Sequence, residues 1–167
     1  MLFRSDPFGG GYWILNSNGS VANFNVNWNG SERGHLTGTP LSITASQTGG
    51  GYWILNSEGG VGNFGIPWYG SERHNAPGIP VTIGGGDGGP GYWVLNTNGA
   101  VRQFAVPWWG SERGHLTAPP VAITPYPAND GYWILNSAGG VTGFHAPWYG
   151  SLGGTHLTSP ATAIAGV

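Results

Sequence analysis

The chain has 167 residues, enough for one domain with a sizeable core, and a net charge of −2 without any lysine. This charge balance excludes nucleic-acid binding through counterion release, and no apolar stretch is long enough to span a membrane. Cysteine is absent, which excludes disulfides and thiolate metal sites. The nine tryptophans favour an ordered chain over a disordered one, because each large aromatic side chain can bury roughly 150–250 Å².

The first residues of the chain do not fit its later pattern. Residues 1–5 lack the apolar core of a secretory signal, and they do not resemble residues 120–124, which precede a later repeat. We therefore expect residues 1–5 to be a non-native or truncated start. The native polypeptide would then be longer, with a signal peptide and further repeats upstream, and residues 1–167 would be one repeat domain.

A hexapeptide, Gly-Tyr-Trp-Ile-Leu-Asn at 11–16, organises the sequence. It recurs at 51–56, at 91–96 with Val94 in place of isoleucine, and at 131–136, always forty residues apart. A fixed period of this size indicates a repeat architecture. The short apolar segment 12–15 is rich in aromatic and β-branched residues, which predicts a strand buried on both faces with its tyrosine and tryptophan in the core.

Three more elements follow in each repeat. Asn18-Gly19 predicts a tight hairpin turn with two positive-φ positions. A second strand is predicted over 21–26, where Val21 and Phe24 face opposite sides and indicate cover on both faces. The pattern then predicts a third strand around a tryptophan followed, after one residue, by Gly-Ser, and a fourth strand beginning at a proline (Trp28, Trp68, Trp108 and Trp148; Pro40, Pro80 and Pro120).

Four short antiparallel strands in forty residues are typical of a β-propeller blade. A parallel β-helix would have a shorter period, and a sandwich would not repeat its sequence so regularly. The predicted fold is therefore all-β and propeller-like, with four repeats. Two arrangements remain open. Either residues 160–164 pair with residues 12–16 and close a four-bladed ring, or the repeats form an arc that dimerises or belongs to a larger ring.

The repeat resembles a known type. Residues 51–65, followed by Trp68-Tyr69-Gly70-Ser71 and by residues 80–83, are similar to the "GYWLVASDGGVFSFG" repeats of secreted actinobacterial proteins. The resemblance covers residues 11 to about 164. It implies blades of a propeller type related to the NHL and Kelch classes, an extracellular or cell-surface location, and frequent attachment to cell-wall hydrolases or other extracellular domains.

A polar loop collects most of the ionisable side chains. Ser-Glu-Arg-Gly-His-Leu-Thr at 31–37 returns unchanged at 111–117 and in altered form in the other two repeats. In a meander these loops share one face with the turns at 16–19. Arginine and glutamate offer donors and acceptors suited to sugar hydroxyls, so this face is a candidate ligand-binding surface. Its candidate residues are Glu32, Arg33, His35, Glu72, Arg73, His74, Glu112, Arg113, His115 and His156.

The same loops have a structural alternative, in which Glu32 pairs with Arg33 or Arg73 and ties adjacent blades together. Four of the histidines could also surround the axis and hold a metal, but no carboxylate–histidine second shell can be identified in the sequence. We therefore expect neither a metal nor a cofactor. His145 is expected at the surface.

Aromatic pairs suggest a second set of contacts. The tryptophans at 28, 68, 108 and 148 never vary, and we expect them to be buried between blades. The next position varies, so Tyr69, Trp109 and Tyr149 are expected to be exposed and to stack on sugar rings.

Catalysis has little support in the sequence. Ser31, Glu32 and His35 suggest a nucleophile and a base, but nucleophilic catalysis needs a unique constellation and not a copied loop. We expect a non-catalytic extracellular domain that binds cell-wall or extracellular polysaccharide weakly at several sites. The alternatives are a structural or protein-interaction module of a larger secreted protein, with self-association or neighbouring blades, and an enzyme, for which only the inserted loop at 152–155 offers an asymmetry.

Overall fold

The computed structural model describes residues 2–5, 10–35, 37–86, 90–127 and 130–166, with the backbone alone for 2–5. These residues contain no helix, and therefore no helix that could cross a membrane. Their strands are β1 (Leu2–Ser5), β2 (Tyr12–Leu15), β3 (Val21–Phe24), β4 (Pro40–Ala45), β5 (Tyr52–Asn56), β6 (Val61–Phe64), β7 (Pro80–Gly85), β8 (Tyr92–Asn96), β9 (Val101–Phe104), β10 (Pro120–Tyr126), β11 (Gly131–Asn136) and β12 (Val141–Phe144).

The strands form four antiparallel sheets with the orders β1-β2-β3, β4-β5-β6, β7-β8-β9 and β10-β11-β12. The hexapeptide supplies the middle strand of each sheet, and consecutive strands pair as hairpins, for example with Ile54 opposite Ile43 and Gly62. The all-β repeat fold predicted from the sequence is confirmed at this level.

The predicted third strand around each tryptophan is wrong. Residues 27–30, 67–70, 107–110 and 147–150 form no strand and pair with no neighbour in a sheet, so each sheet has three strands and not four. At the second sheet the indole Nε1 of Trp68 donates to the carbonyl oxygen of Val61, 3.0 Å away. The Trp68 side chain thus bonds a carbonyl of β6, the last strand of the second sheet, which a fourth strand would otherwise satisfy.

The hairpin turn uses one positive-φ residue and not two. Gly19 has φ 79°, whereas Asn18 is not among the residues with positive φ. The amide of Gly19 donates to the carbonyl oxygen of Asn16, and the amide of Asn16 donates to the carbonyl oxygen of Ser20. This is a turn followed by a left-handed residue, a common longer hairpin connection, and it explains why the glycine alone is kept in every repeat.

Residues 2–5 hold a regular place in the fold. Strand β1 pairs with β2 from Leu2 opposite Leu15 to Ser5 opposite Tyr12, as β4 pairs with β5 in the next sheet. A segment that does not match the repeat sequence therefore forms the first strand of its sheet, the position that β4, β7 and β10 hold in the other sheets. The predicted pairing of residues 160–164 with residues 12–16 is wrong, because β1 is the partner of β2 on that side.

The core lies between neighbouring sheets. Trp13 and Leu15 on one face of β2 pack with Tyr52 and Ile54 on the opposing face of β5. The same sets recur between the second and third sheets and between the third and fourth. The prediction of a middle strand buried on both faces is confirmed for β5, β8 and β11, all of whose residues are buried. It is wrong for one face of β2, where Tyr12 and Ile14 are only half-buried because no described sheet packs on that face.

The outer strands are less covered than predicted. In β6 only Val61 is buried, Phe64 is partly buried and Asn63 is exposed. Val61 nevertheless packs in the core between the second and third sheets, and Phe64 packs against the core between the first and second. The prediction that the valine and the phenylalanine face opposite sides, with cover on both faces, is therefore confirmed for β6, although the cover over Phe64 is partial.

The sheets follow one another in a row. The inner strands β1, β4, β7 and β10 contact each other in that order. Among the described residues β10 makes no contact with β1, so the four sheets do not close on themselves.

Candidate functional site

The polar loops lie beside the hairpin turns, as the meander predicts. In the first repeat the amide of Glu32 donates to the carbonyl oxygen of Gly19 at 3.1 Å. The second and third repeats repeat this bond from Glu72 to Gly59 and from Glu112 to Gly99. Each bond fixes the backbone of the glutamate at the edge of its own sheet.

The three glutamate side chains point towards the next sheet. Glu72 is fully buried, and both of its carboxylate oxygens accept from Nδ2 of Asn96, at 3.0 and 3.1 Å. Glu112 is also buried and accepts a hydrogen bond from the hydroxyl of Thr142. The structure thus connects adjacent sheets through glutamate, with Asn96 and Thr142 as partners.

Burial changes the acidity of two of these carboxyls. Desolvation raises the pKa of Glu32 to about 7. It also raises the pKa of Glu72 to about 7, although the hydrogen bond from Asn96 and the charge of Arg102 act in the opposite direction. Near neutral pH both groups therefore exist partly as neutral acids, which can donate as well as accept a hydrogen bond.

A groove of about 530 Å³ opens between the first and second sheets. We call it the Glu32 groove; its lining includes Glu32, Asn56, Gly62, Asn63, Trp68, Ser71 and Arg73. One carboxylate oxygen of Glu32, Oε2, is buried without a hydrogen-bond partner among the described residues. The lining is mainly polar, and Val61 and Trp68 are its apolar members, so the groove offers hydrogen-bond donors and acceptors beside one indole ring.

The carboxyl of Glu32 occupies the space that a side chain at residue 62 would fill. Gly62 faces Glu32, and a Cβ atom added to Gly62 would lie 2.5 Å from Oε1 of that carboxyl. The equivalent residues at the next two interfaces are Arg102, which acts on the charge of Glu72, and Thr142, which donates to Glu112. These larger side chains approach the glutamate where glycine leaves space.

The invariant tryptophans are exposed. The sequence predicts burial for them, but Trp28, Trp68, Trp108 and Trp148 are between 52% and 67% exposed. The prediction fails because the space between sheets is filled by the hexapeptide side chains and the tryptophans lie outside it. They occupy the equivalent position of four successive repeats, so the chain displays a row of indole rings.

The aromatic residues predicted to be exposed divide into two groups. Trp109 and Tyr149 are exposed, as expected; Trp109 donates from Nε1 to the carbonyl oxygen of Asp130 at 3.0 Å and stacks on His145, with ring centroids 3.9 Å apart. Tyr69 is only partly buried but packs towards Trp53 and Tyr92, with centroids 6.3 and 6.5 Å away. Tyr69 thus belongs with the second interface more than with the surface.

The cationic side chains stay at the surface. Arg33, Arg73 and Arg113 are exposed, and Arg73 pairs with Glu58 of its own sheet at 3.5 Å rather than with Glu32. His35, His74, His115 and His156 are exposed as well. In the part of the chain that the structure describes, no three His, Cys, Asp or Glu side chains come together as metal ligands.

The groove contains residues that the sequence does not single out. Gly62, Asn63 and Asn56 line it, and none belongs to the polar loop. A usable signal exists at residue 62, because the strand around it is regular while that position varies as Gly, Arg and Thr in successive repeats.

Comparison of the chain with family models and with curated proteins finds no match.

Proposed function

We propose that this chain is a non-catalytic domain that binds an extracellular or cell-wall polysaccharide through its exposed tryptophans and the Glu32 groove. The observation that carries the proposal is the position of Trp68, more than half exposed and at the wall of a groove with polar groups. An indole ring offers a flat apolar face to a sugar, while Glu32, Asn63 and Arg73 supply hydrogen-bond acceptors and donors for its hydroxyls.

The repeated tryptophan supports a multivalent mode of binding. A polymer that runs along the row can meet an indole ring at each repeat, so weak contacts add avidity without new interactions. Low charge also suits a neutral ligand, because few charged groups lose their hydration on binding.

The arrangement that best accounts for the sheets is an arc of propeller blades. Inner strands that contact one another in order, with cores between sheet faces, are what successive blades require. With the resemblance to secreted actinobacterial repeats, this favours an extracellular or cell-surface location.

The proposal is tested by co-sedimentation of the chain with insoluble peptidoglycan, chitin and cellulose. We expect the parent to pellet with one of these polymers. Trp68→Ala should lower the affinity about tenfold, which corresponds to about 1.4 kcal/mol. The substitution is at an exposed side chain, so thermal unfolding should show a folded variant.

Ile79→Ala serves as the control, since Ile79 is an apolar residue outside the groove and is also more than half exposed. This variant should pellet like the parent. If the parent stays in the supernatant with all three polymers, the binding proposal fails and the chain is better regarded as a structural or protein-interaction module. Parent-like binding by Trp68→Ala would equally remove the groove from the proposal.

A further inference from the structure

Neighbouring sheets are joined by a repeated contact, and the first and fourth sheets each carry one half of it. At each internal interface a loop glycine of one sheet lies against a phenylalanine of the next. A Cβ atom on Gly30, Gly70 or Gly110 would lie 2.9, 2.7 and 2.7 Å from the nearest ring carbon; the rings are those of Phe64, Phe104 and Phe144. The glycine is needed here both for its positive φ and for the space that the ring occupies.

The fourth sheet keeps the glycine half of this contact. Gly150 has a positive φ of 114°, against 123° to 134° in its three counterparts, yet no described heavy atom lies within 4 Å of its Cβ position. The first sheet keeps the phenylalanine half: Phe24 is 45% exposed, whereas Phe64, Phe104 and Phe144 are less exposed. The fourth sheet thus has open space at Gly150, and the first sheet has the phenylalanine ring that would fill it.

A second pair of positions matches in chemistry. Where three repeats have the interface glutamate, the fourth has Leu152, which is 55% exposed. The residue that faces this position from the next sheet is Gly62, Arg102 or Thr142 inside the row, and its counterpart in the first sheet is Ala22. A glutamate opposite alanine would be buried without a hydrogen bond, while leucine opposite alanine buries apolar surface.

The C-terminal segment occupies the place of an inner strand. Gly85 of β7 approaches the carbonyl oxygen of Ala45 and Oγ1 of Thr44 in β4, with its Cβ position 2.6 and 3.2 Å away. Gly166 approaches Pro125 and Thr124 of β10 in the same manner, at 3.1 and 3.6 Å. Residues 161–166 therefore lie on β10 as β7 lies on β4, but the described residues provide no strand that pairs with them.

We propose that the chain associates head to tail with a second copy of itself. The outer face of the first sheet of one copy packs on the outer face of the fourth sheet of the other, with Phe24 against Gly150 and Ala22 against Leu152. The segment 161–166 of one copy replaces β1 as the neighbour of β2 in the other. In this arrangement β2 keeps a neighbour on both sides, with residues 161–166 of the other copy in the place of β1.

The absence of cysteine gives a direct test of the contact. An Ala22→Cys variant is mixed with a Leu152→Cys variant under mild oxidation, and disulfide-linked dimers are followed on a non-reducing gel. We expect the mixture to form dimers several-fold faster than either variant alone. Equal rates in the mixture and in the separate variants would overturn the proposed contact.

Sedimentation velocity over a range of concentrations gives an independent test. The parent should exceed its monomer mass of 17.4 kDa as the concentration rises. Leu152→Glu should shift the parent towards the monomer, and it should fold normally because Leu152 is exposed within one copy. Ile79→Glu, at an exposed site in the middle of the row, should associate like the parent. A parent that remains monomeric, or a Leu152→Glu variant that associates like it, contradicts the proposal. Neither test uses a polysaccharide, so either can fail while the binding proposal stands.

Discussion

At the scale of single residues, the glutamate carboxyls between sheets are the main ionisable groups in an interior that otherwise carries little charge. Only seven acidic residues are present, and Glu32, Glu72 and Glu112 extend between sheets. Desolvation favours the neutral acid and raises the pKa of Glu32 and of Glu72. Stability should therefore depend on pH through these two groups.

The sign of that dependence follows from the raised pKa of Glu72, about 7 in the fold against an ordinary value of 4.5. Between pH 4.5 and about 7, the Glu72 carboxyl is deprotonated in the unfolded chain and protonated in the folded chain. The stability contribution is thus fully present below about pH 4.5 and is lost as the pH rises through 7, by about 3 kcal/mol at most. Glu72→Gln should raise the melting temperature at pH 8 relative to the parent and flatten its fall between pH 4.5 and 8.

Glu58→Gln is the control for this measurement, because the Glu58 side chain is solvent-exposed and pairs only at the surface with Arg73. Its melting temperatures should follow the parent at both pH values. A parent that is equally stable at pH 4.5 and 8 would contradict the assignment of Glu72 as a buried neutral acid.

His74 is a residue in a conformation that suits glycine. Its φ is 69°, and its counterparts in the other repeats are glycines with φ between 81° and 85°. A left-handed conformation costs a side-chain-bearing residue roughly 1–2 kcal/mol. His74→Gly should therefore increase the free energy of unfolding, by about 0.5–1 kcal/mol after the greater entropy of glycine in the unfolded chain is subtracted.

Urea denaturation measures this effect, and His35→Gly provides the comparison. His35 is exposed in an equivalent loop but is not among the positive-φ residues, so its replacement should be neutral or slightly destabilising. A His74→Gly variant that is less stable than the parent would show that the histidine side chain makes a contact worth more than its backbone strain.

At the scale of the elements, a tyrosine in three of the four middle strands bonds the loop of the preceding repeat. The hydroxyls of Tyr52, Tyr92 and Tyr132 donate to loop carbonyl oxygens at 2.5, 2.5 and 2.6 Å; the acceptors are Gly30, Gly70 and Gly110. Burial raises the pKa of Tyr52 and of Tyr132 to about 12, so these phenols remain donors at any physiological pH. The same rings contact the tryptophan of the preceding sheet, for example Trp53 and Tyr92 with centroids 5.0 Å apart.

Tyr92→Phe removes the hydroxyl and keeps the ring. We expect a loss of about 1 kcal/mol in the free energy of unfolding, because one buried hydrogen bond disappears while the packing is retained. Chemical denaturation measures the loss. Tyr149→Phe is the control at a highly exposed phenol and should leave stability unchanged, and equal stability of both variants would show that the link from Tyr92 to Gly70 contributes nothing.

Strand β6 contains Gly62, which faces Glu32 in the groove. Gly62→Thr introduces at the first interface the residue that Thr142 provides at the third, where it donates to Glu112. A Cβ atom here would lie 2.5 Å from Oε1 of Glu32, so the end of that flexible side chain must shift before the new hydroxyl can bond it and fill part of the groove. We expect the variant to fold and its polysaccharide affinity to fall, measured by thermal unfolding and by co-sedimentation of the same preparation. Unchanged affinity in a folded Gly62→Thr variant would place binding outside the groove.

At the scale of the whole molecule, the period of forty residues was sufficient to predict the all-β repeat architecture and its core. The hexapeptide alternates Tyr and Ile with Trp and Leu, so its two buried faces follow directly from strand geometry. The position of the tryptophans did not follow, because an invariant aromatic residue can be kept either for burial or for exposure. The indole of Trp68 bonds the outer strand through Nε1 and stays outside.

The candidate site was only partly predictable for a similar reason. The sequence identifies Glu32 and Arg73 as loop residues, but the direction of the Glu32 side chain depends on β6, about thirty residues further along. The carboxyl of Glu32 lies against Gly62, and the variation at this position in successive repeats is the one signal of that contact in the sequence. The sequence did not predict strand β1, because its structure depends on pairing with the edge of β2 more than on its own composition.

The hydrogen bonds from tyrosine to loop glycine each span 22 residues, whichever pair of sheets they join. The chain segment between the two bonded residues therefore has the same length at every interface, and adding sheets does not lengthen it. Because folding rates fall as contacts become more distant in sequence, the rate at which neighbouring sheets assemble should not depend on how many sheets precede them. Folding can then start at any pair of sheets and spread outward in both directions.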